Sequence, residues 1–162
     1  MIFVTSGSSP LGYNELFQQC DQIAALRSDL IFVGQIGGSA YVPKNYAWRK
    51  WYAHDEMIAH LASADLVISH AGFGIISECL RRNKKLTVVP RQHAGNSYHS
   101  QSSLAEYLHE QGYLICVKDI AQLQKGIDTI RHSDLKLYIS NSRIPTLIDE
   151  FISTQIKKKL AN

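Results

Sequence analysis

The sequence predicts a single α/β domain in which helices cover both faces of a parallel sheet. Two observations favour this class. The chain has 162 residues, which is about the size of one domain. Short apolar blocks also alternate with segments of helical periodicity, and parallel strands buried on both faces read as continuous apolar runs. The blocks span residues 2–5, 30–34, 66–69, 86–90 and 113–117.

The segments between the blocks supply the other elements. A first helix opens at residues 13–15, and we expect its inward stripe to contain Leu16, Cys20, Ile23 and Leu26. Residues 47–52 form a more polar strand that leads into a short helix over 56–62. We expect the aromatic side chains of that strand to pack against the domain, with a stacking platform for a ligand as the alternative.

The C-terminal region carries a long amphipathic pattern over residues 144–160. This pattern predicts a helix that starts just before Pro145, since proline is favoured in the first turn of a helix. No repeat or linker interrupts the chain, so we assign residues 1–162 to one domain. We expect its last helix to pack back onto the sheet.

Composition excludes several functional classes. A formal net charge of +3, spread along the chain, is too small to indicate a nucleic-acid partner. No apolar run approaches the roughly 20 residues that span a bilayer, and the start of the chain does not resemble a secretion signal. The three distant cysteines predict neither a disulfide framework nor a metal site. The expected compartment is the cytoplasm.

The most informative stretch follows the block at 66–69, where Ser69, His70, Ala71 and Gly72 end an apolar run and a helix begins. Glycines here and at Gly74 allow the backbone to approach a bound group, and the free amides of a helix N-terminus suit a phosphate. A carboxylate one turn into the helix, Glu78, suits a ribose diol. We interpret the stretch as a nucleotide site; the alternative is an ordinary turn with a solvated glutamate.

Two further strand ends lie at the same predicted edge of the sheet. The first carries Ser6, Gly7 and Ser8, whose amides and hydroxyls suit a diphosphate, although no Walker lysine follows. The second is the polar segment 91–101, whose amide, imidazole and hydroxyl groups suit sugar hydroxyls. The alternatives are a capped loop and a polar surface loop, respectively.

The chain resembles the C-terminal, nucleotide-sugar-binding half of family 28 glycosyltransferases in the order of four features. They are the segment 68–72, Glu78, the segment 88–91 and a polar loop ending in Gln101. The resemblance covers about residues 1–120. It implies a Rossmann-like domain, the C-terminal half of a GT-B glycosyltransferase. In length the chain is similar to the small single-domain subunits of the Alg13, PssE and EpsE type.

The resemblance also implies roles for individual positions. Glu78 would hold the ribose hydroxyls, Ala71 and Gly72 would lie near the donor phosphates, and residues 96–101 would contact the transferred sugar. The chain has His99-Ser100-Gln101 where relatives carry Asp-His-Gln or Asn-His-Gln, which leaves the sugar open. The complete donor-binding set is Ser6, Gly7, Ser8, Ser69, His70, Ala71, Gly72, Glu78, Asn96, His99 and Gln101.

The function that this resemblance implies is that of a donor-binding, catalytic subunit of a two-component UDP-sugar glycosyltransferase. It would transfer a hexose or N-acetylhexosamine to a lipid-linked acceptor in polysaccharide (exopolysaccharide) or glycan biosynthesis. The partner would be a membrane-anchored, acceptor-binding subunit of the Alg14 or PssD type, which would hold the chain peripherally at the inner face of the membrane.

Other possibilities stay open. No Asp-x-Asp pair is present, so we expect neither a metal nor a cofactor. His70 is a candidate base. We prefer a role for it in lining the donor pocket or steadying the loop, and His93 and His99 are further candidates. The alternatives for the whole chain are a noncatalytic interaction module of the same fold and a stand-alone enzyme such as a sugar epimerase.

Overall fold

The computed structural model describes residues 1–8, 10–91 and 96–139, with the side chains of residues 96–101 outside the description. In this part of the chain, six parallel strands form one sheet in the order β3-β2-β1-β4-β5-β6. The prediction of a parallel α/β domain is confirmed. The strands are β1 (Ile2–Thr5), β2 (Phe32–Gln35), β3 (Ala47–Arg49), β4 (Leu66–Ser69), β5 (Lys85–Val88) and β6 (Ile115–Cys116).

Helices cover both faces of the sheet, as predicted. Alternate residues of a strand point to opposite faces. Accordingly Ile2 and Val4 belong to one core cluster while Phe3 belongs to the other. The first cluster contains residues of α1 and α5, and the second contains residues of α2, α3 and α4. The helices are α1 (Asn14–Leu26), α2 (His54–Ser63), α3 (Phe73–Arg81), α4 (Asn96–Glu110) and α5 (Leu123–Arg131).

The strand register brings the loops that carry the candidate site to one edge. Thr5, the last residue of β1, lies opposite Gln35 of β2 on one side and Ser69 of β4 on the other. In the same way Gln35 lies opposite Arg49, and Ser69 lies opposite Val88. The carboxyl ends of five strands are therefore level. From the β1–β4 pair the strands continue in opposite directions, through β2 to β3 on one side and through β5 to β6 on the other. Ligands of open α/β sheets bind outside the strand ends at such a point.

Some expectations differ from the structure in detail. Leu26 was expected to face the core, but its side chain is 79% exposed, so this prediction is wrong. Leu26 is the last residue of α1, where the chain turns toward β2, and Leu30 joins the core cluster instead. Strand β2 begins at Phe32 rather than at residue 30, because its pairing with β1 starts opposite Ile2.

Two further expectations concern the whole chain. The predicted helix over 144–160, and with it the extent of the domain to residue 162, lies outside the described residues. Among the residues that are described, no helix combines the length and the hydropathy needed to cross a bilayer.

Candidate functional site

The turn after β1 is closed by its own side chains. Gly7 has a φ of 73°, in the left-handed region that favours glycine, and its N–H donates to Thr5 Oγ1 at 3.0 Å. Because this amide is engaged inside the turn, it is not the group that the turn offers to a ligand. The hydroxyl of Ser6 is fully buried and has no hydrogen-bond partner among the described residues, and Ser8 is exposed beside it.

The end of β4 is tied to the end of β1. Ser69 is buried, and its Oγ donates to the backbone carbonyl of Thr5 at 2.8 Å. This hydroxyl was predicted to contact the donor. In the structure it links two neighbouring strand ends, and thereby fixes where His70, the next residue, leaves the sheet.

The His70 imidazole lies between the two glycine turns. A Cβ atom added at Gly7 would lie 2.8 Å from His70 Cε1, and one added at Gly72 would lie 2.4 Å from His70 Nε2. Real Cβ atoms do not approach so closely, so both positions need glycine as long as the ring stays in place. The ring therefore sets the spacing between the turn after β1 and the start of α3.

Burial keeps this imidazole neutral. Only 8% of His70 is exposed, and desolvation, together with the positive charge of Arg91, lowers its pKa to about 4. Ser69 Oγ lies 3.4 Å from Nδ1, at the far limit of a hydrogen bond. At neutral pH His70 is thus an uncharged ring packed within the turn. This geometry fits a part in steadying the loop, one of the roles considered for it.

Helix α3 presents an uncapped N-terminus and an open face. Gly72 is its N-cap residue and makes no side-chain capping bond, so the first amides of the helix lack acceptors within it. Among the described residues, no atom lies within 4 Å of a Cβ built on Gly74. Glu78 lies one turn further along the same face, since residues four apart are neighbours on a helix surface.

The Glu78 carboxylate is held at its tip by two arginines. Arg81 donates to Oε1 and Arg82 donates to Oε2, and Glu78 itself is about one quarter exposed. Each carboxylate oxygen has a second acceptor site, so the pairing leaves capacity for a further donor such as a hydroxyl. Glu78 lies about 9 Å along the helix from Gly72, at 1.5 Å per residue.

The third predicted strand end is described only in part. After β5, the carbonyl of Pro90 accepts a hydrogen bond from Tyr13 Oη at 3.1 Å, and Arg91 donates to the carbonyl of Leu11 at 2.9 Å. These bonds tie the chain leaving β5 to the segment before α1. The predicted contacts of Asn96, His99 and Gln101 lie outside the description, as does His93.

Gln35 at this edge was not singled out from the sequence, whereas Trp51 belongs to the segment 47–52 whose aromatic side chains were expected to pack against the domain. Gln35 ends β2 as a buried amide, and the Trp51 ring packs on Gly37, which has a φ of 56°. Trp51 remains 44% exposed, so packing accounts for only part of its surface. The available signals were a polar residue at the end of an apolar strand and the Gly37-Gly38 pair that follows it.

Within the described ranges, no group of three or more His, Cys, Asp or Glu side chains is arranged to hold a metal ion. The groups gathered at the carboxyl edge are instead hydroxyls, amides, one neutral imidazole and the Glu78 carboxylate. Such a set is suited to hydrogen bonding with an anion and with sugar hydroxyls.

Comparison with known proteins identifies the family. The family model described as "Glycosyltransferase family 28 C-terminal domain" matches residues 1–159. The chain belongs to this family. The resemblance given by the motif at 68–78 is thereby confirmed.

Individual relatives agree with this assignment. The UDP-N-acetylglucosamine transferase subunit ALG13 of Mus musculus is 34% identical over 122 residues, which is 69% of this family 28 chain and 10% of the mouse protein. The chain thus spans about a tenth of that relative's length. An NMR structure of ALG13 superposes with a TM-score of 0.62 at 19% identity, covering 89% of this chain and 91% of the other.

Larger glycosyltransferases contain the same fold as a part. The crystal structure of the glycotransferase of kitacinnamycin superposes with a TM-score of 0.63 at 22% identity, over 82% of this chain and 35% of that one. At this identity the likeness shows the fold alone. It agrees with the description of the chain as one half of a GT-B architecture.

Proposed function

We propose that this domain binds a UDP-sugar at the carboxyl edge of its sheet and serves as the donor-binding, catalytic subunit of a two-component glycosyltransferase. The observation that carries the proposal is the arrangement of α3. Its uncapped N-terminus, the open surface at Gly74 and the carboxylate of Glu78 follow one another along a single helix face. Membership of family 28 supports the same reading.

The edge offers a place for each part of the donor. The first amides of α3 would meet the diphosphate, since a helix N-terminus favours an anion. Glu78, about 9 Å further along, would accept hydrogen bonds from the ribose diol. Residues 96–101 would contact the sugar. During transfer the amides would stabilise the charge that develops on the leaving diphosphate, which needs no metal ion.

The acceptor and its activating base would come from elsewhere. His70 is neutral but packed between Gly7 and Gly72, so it is poorly placed to reach an acceptor hydroxyl. The mouse relative is named a transferase subunit, and the kitacinnamycin enzyme holds this fold in about a third of its chain. Both support a second component in general. We propose that it is a membrane-anchored protein that provides a lipid-linked acceptor and holds this domain at the inner face of the membrane.

Calorimetry with UDP, UDP-N-acetylglucosamine and other nucleoside diphosphates tests the proposal. We expect Glu78→Ala to weaken binding of a UDP-sugar by about 1–3 kcal/mol, because a partly desolvated pair of hydrogen bonds is lost. Glu78→Gln should lose less, since one amide oxygen still accepts. The control is Asp128→Asn on α5, whose carboxylate is likewise paired with an arginine, Arg27.

The outcomes separate the alternatives. Equal affinity in the wild type and Glu78→Ala would remove the ribose role. If no nucleotide binds while a membrane partner still does, the chain is a noncatalytic interaction module. Turnover of a UDP-sugar by the isolated chain would favour a stand-alone enzyme.

A further inference from the structure

The side chain of Gln35, at the end of β2, joins the loops that follow β1 and β3. Gln35 is the last residue of β2 and is 4% exposed. Its Nε2 donates to the carbonyl of Gly7 at 3.2 Å, and its Oε1 accepts from the N–H of Tyr52 at 2.9 Å. One amide therefore connects the turn after β1 with the segment after β3.

The two segments that it connects both line the carboxyl edge. Gly7 lies against the His70 ring, which in turn contacts Gly72 at the start of α3. On the other side, Tyr52 follows Trp51, whose ring packs on Gly37 close to the buried Ser6 hydroxyl. Gln35 thus lies between these two segments, where it is too buried to meet a ligand but bonded to both of them.

The backbone bonds nearby do not replace this link. The N–H groups of Ile36 and Gly37 donate to the carbonyls of Arg49 and Lys50, which joins the loop after β2 to the loop after β3. The turn after β1 is closed internally by Thr5 Oγ1. Among the described residues, the Gln35 amide is the one group that bonds to both the Gly7 carbonyl and the Tyr52 N–H.

We infer that Gln35 is a positioning residue, which fixes the distance between the Gly7 turn and the Trp51–Tyr52 segment and so the spacing of the groups at the proposed donor site. The inference rests on the proposed function for its effect on binding. Its chemistry is specific, because an amide offers one donor and one acceptor at the end of the same side chain. A carboxylate offers acceptors only, and a thioether offers neither group at useful strength.

Two variants of similar length test the role. In Gln35→Met both bonds are lost, and we expect UDP-sugar affinity to fall about tenfold. In Gln35→Glu the ionised side chain cannot donate to Gly7 O, so a similar loss is expected at neutral pH. A protonated carboxyl again has one donor and one acceptor. Binding by Gln35→Glu should therefore recover, relative to wild type at the same pH, as the pH is lowered.

The control separates positioning from general loss of stability. Asp21 is equally buried and accepts hydrogen bonds from the backbone N–H groups of Lys44 and Asn45, away from the strand ends. Asp21→Asn should lower the melting temperature without changing UDP-sugar affinity. If Gln35→Met and Asp21→Asn weaken binding equally, or if Gln35→Met binds like the wild type, the positioning role is overturned.

Hydrogen exchange of backbone amides tests the Gln35 link without any nucleotide. In Gln35→Met, we expect the amide of Tyr52 to exchange at least tenfold faster than in the wild type, with Asp21→Asn leaving it unchanged. Unchanged protection of Tyr52 would overturn the inference even if the wild type binds UDP. Faster exchange in a protein that binds no nucleotide would leave the link between the loops standing and count only against the proposed function.

Discussion

Side chains bond to the free backbone groups of helix ends at the amino edge of the sheet, but not at the start of α3 at the carboxyl edge. At the amino edge, lysines cover the carbonyls at the ends of helices. Lys84 Nζ donates to the carbonyls of Ala62 and Ala64 at the end of α2, and Lys85 Nζ donates to the carbonyl of Arg131 at the end of α5, at 2.9 Å. At the carboxyl edge, α3 begins at Gly72 with no side-chain cap, and the Ser6 hydroxyl is buried without a partner among the described residues.

This difference agrees with the proposal that the donor binds at the carboxyl edge. The amino edge also contains a cavity of about 480 Å³, but among the charged side chains that line it Arg131 pairs with Asp29, while Lys84 and Lys85 bond to helix carbonyls. Cations near helix C-termini satisfy the dipole and stabilise the fold. At the carboxyl edge the first amides of α3 have no acceptor within the helix, so they are free to meet a ligand.

The largest expected effect concerns His70. Its pKa is lowered from 6.5 to about 4 in the folded protein, so the unfolded chain binds more protons between these values. Stability should therefore fall as the pH drops from 6.5 to 4, by up to about 3 kcal/mol. Denaturant unfolding of the wild type and His70→Phe across this range measures the effect.

Phenylalanine keeps a ring between the glycine turns but does not titrate. The His70→Phe curve should consequently be flatter than that of the wild type by the amount attributed to His70. Parallel curves would show that the imidazole is not held neutral within the turn. The difference between the two curves isolates the titration of His70, because the other six histidines are present in both proteins.

A smaller effect is expected at the amino edge. Lys84→Met removes the cation that bonds to Ala62 and Ala64, and should reduce the free energy of unfolding by about 1 kcal/mol. UDP-sugar affinity should stay at the wild-type value, because the substitution lies at the opposite edge. A loss of UDP-sugar affinity in Lys84→Met would contradict the proposal that the amino edge stabilises the fold while the carboxyl edge binds the donor.

The smallest change in stability, and the sharpest separation from binding, is expected for Gly74→Ala. Alanine has room at this position and is favoured over glycine within a helix, so stability should rise by about 0.5–1 kcal/mol. UDP-sugar affinity should fall, since the new methyl group lies on the face between the helix N-terminus and Glu78. Calorimetry and denaturant unfolding on the same sample measure both.

Gly126 on α5 supplies the contrast. A Cβ there would lie 2.6 Å from Val117 Cγ2, so Gly126→Ala should lower stability and leave affinity unchanged. If Gly74→Ala binds as well as the wild type, the donor does not approach this face of α3.

The sequence was sufficient for the features that depend on local pattern. Apolar runs located the strands, and the motif from Ser69 to Glu78 indicated the family. Contacts between residues far apart in the chain could not be predicted from the sequence. Gln35 bonds to residues 28 and 17 positions away, and nothing near it in the sequence shows this. The packing of His70 between Gly7 and Gly72 likewise follows from the strand register.

Amide chemical shifts recorded while UDP is added test the central claim most directly. Backbone amides report on both edges in one experiment, and glycines mark the edge that is proposed to bind. We expect the shifts of Gly37, Gly72 and Gly74 to move in a saturable way, while those of Asn83, Lys84 and Lys85 stay in place. Saturable changes confined to Asn83, Lys84 and Lys85, or no changes at all, would contradict the account.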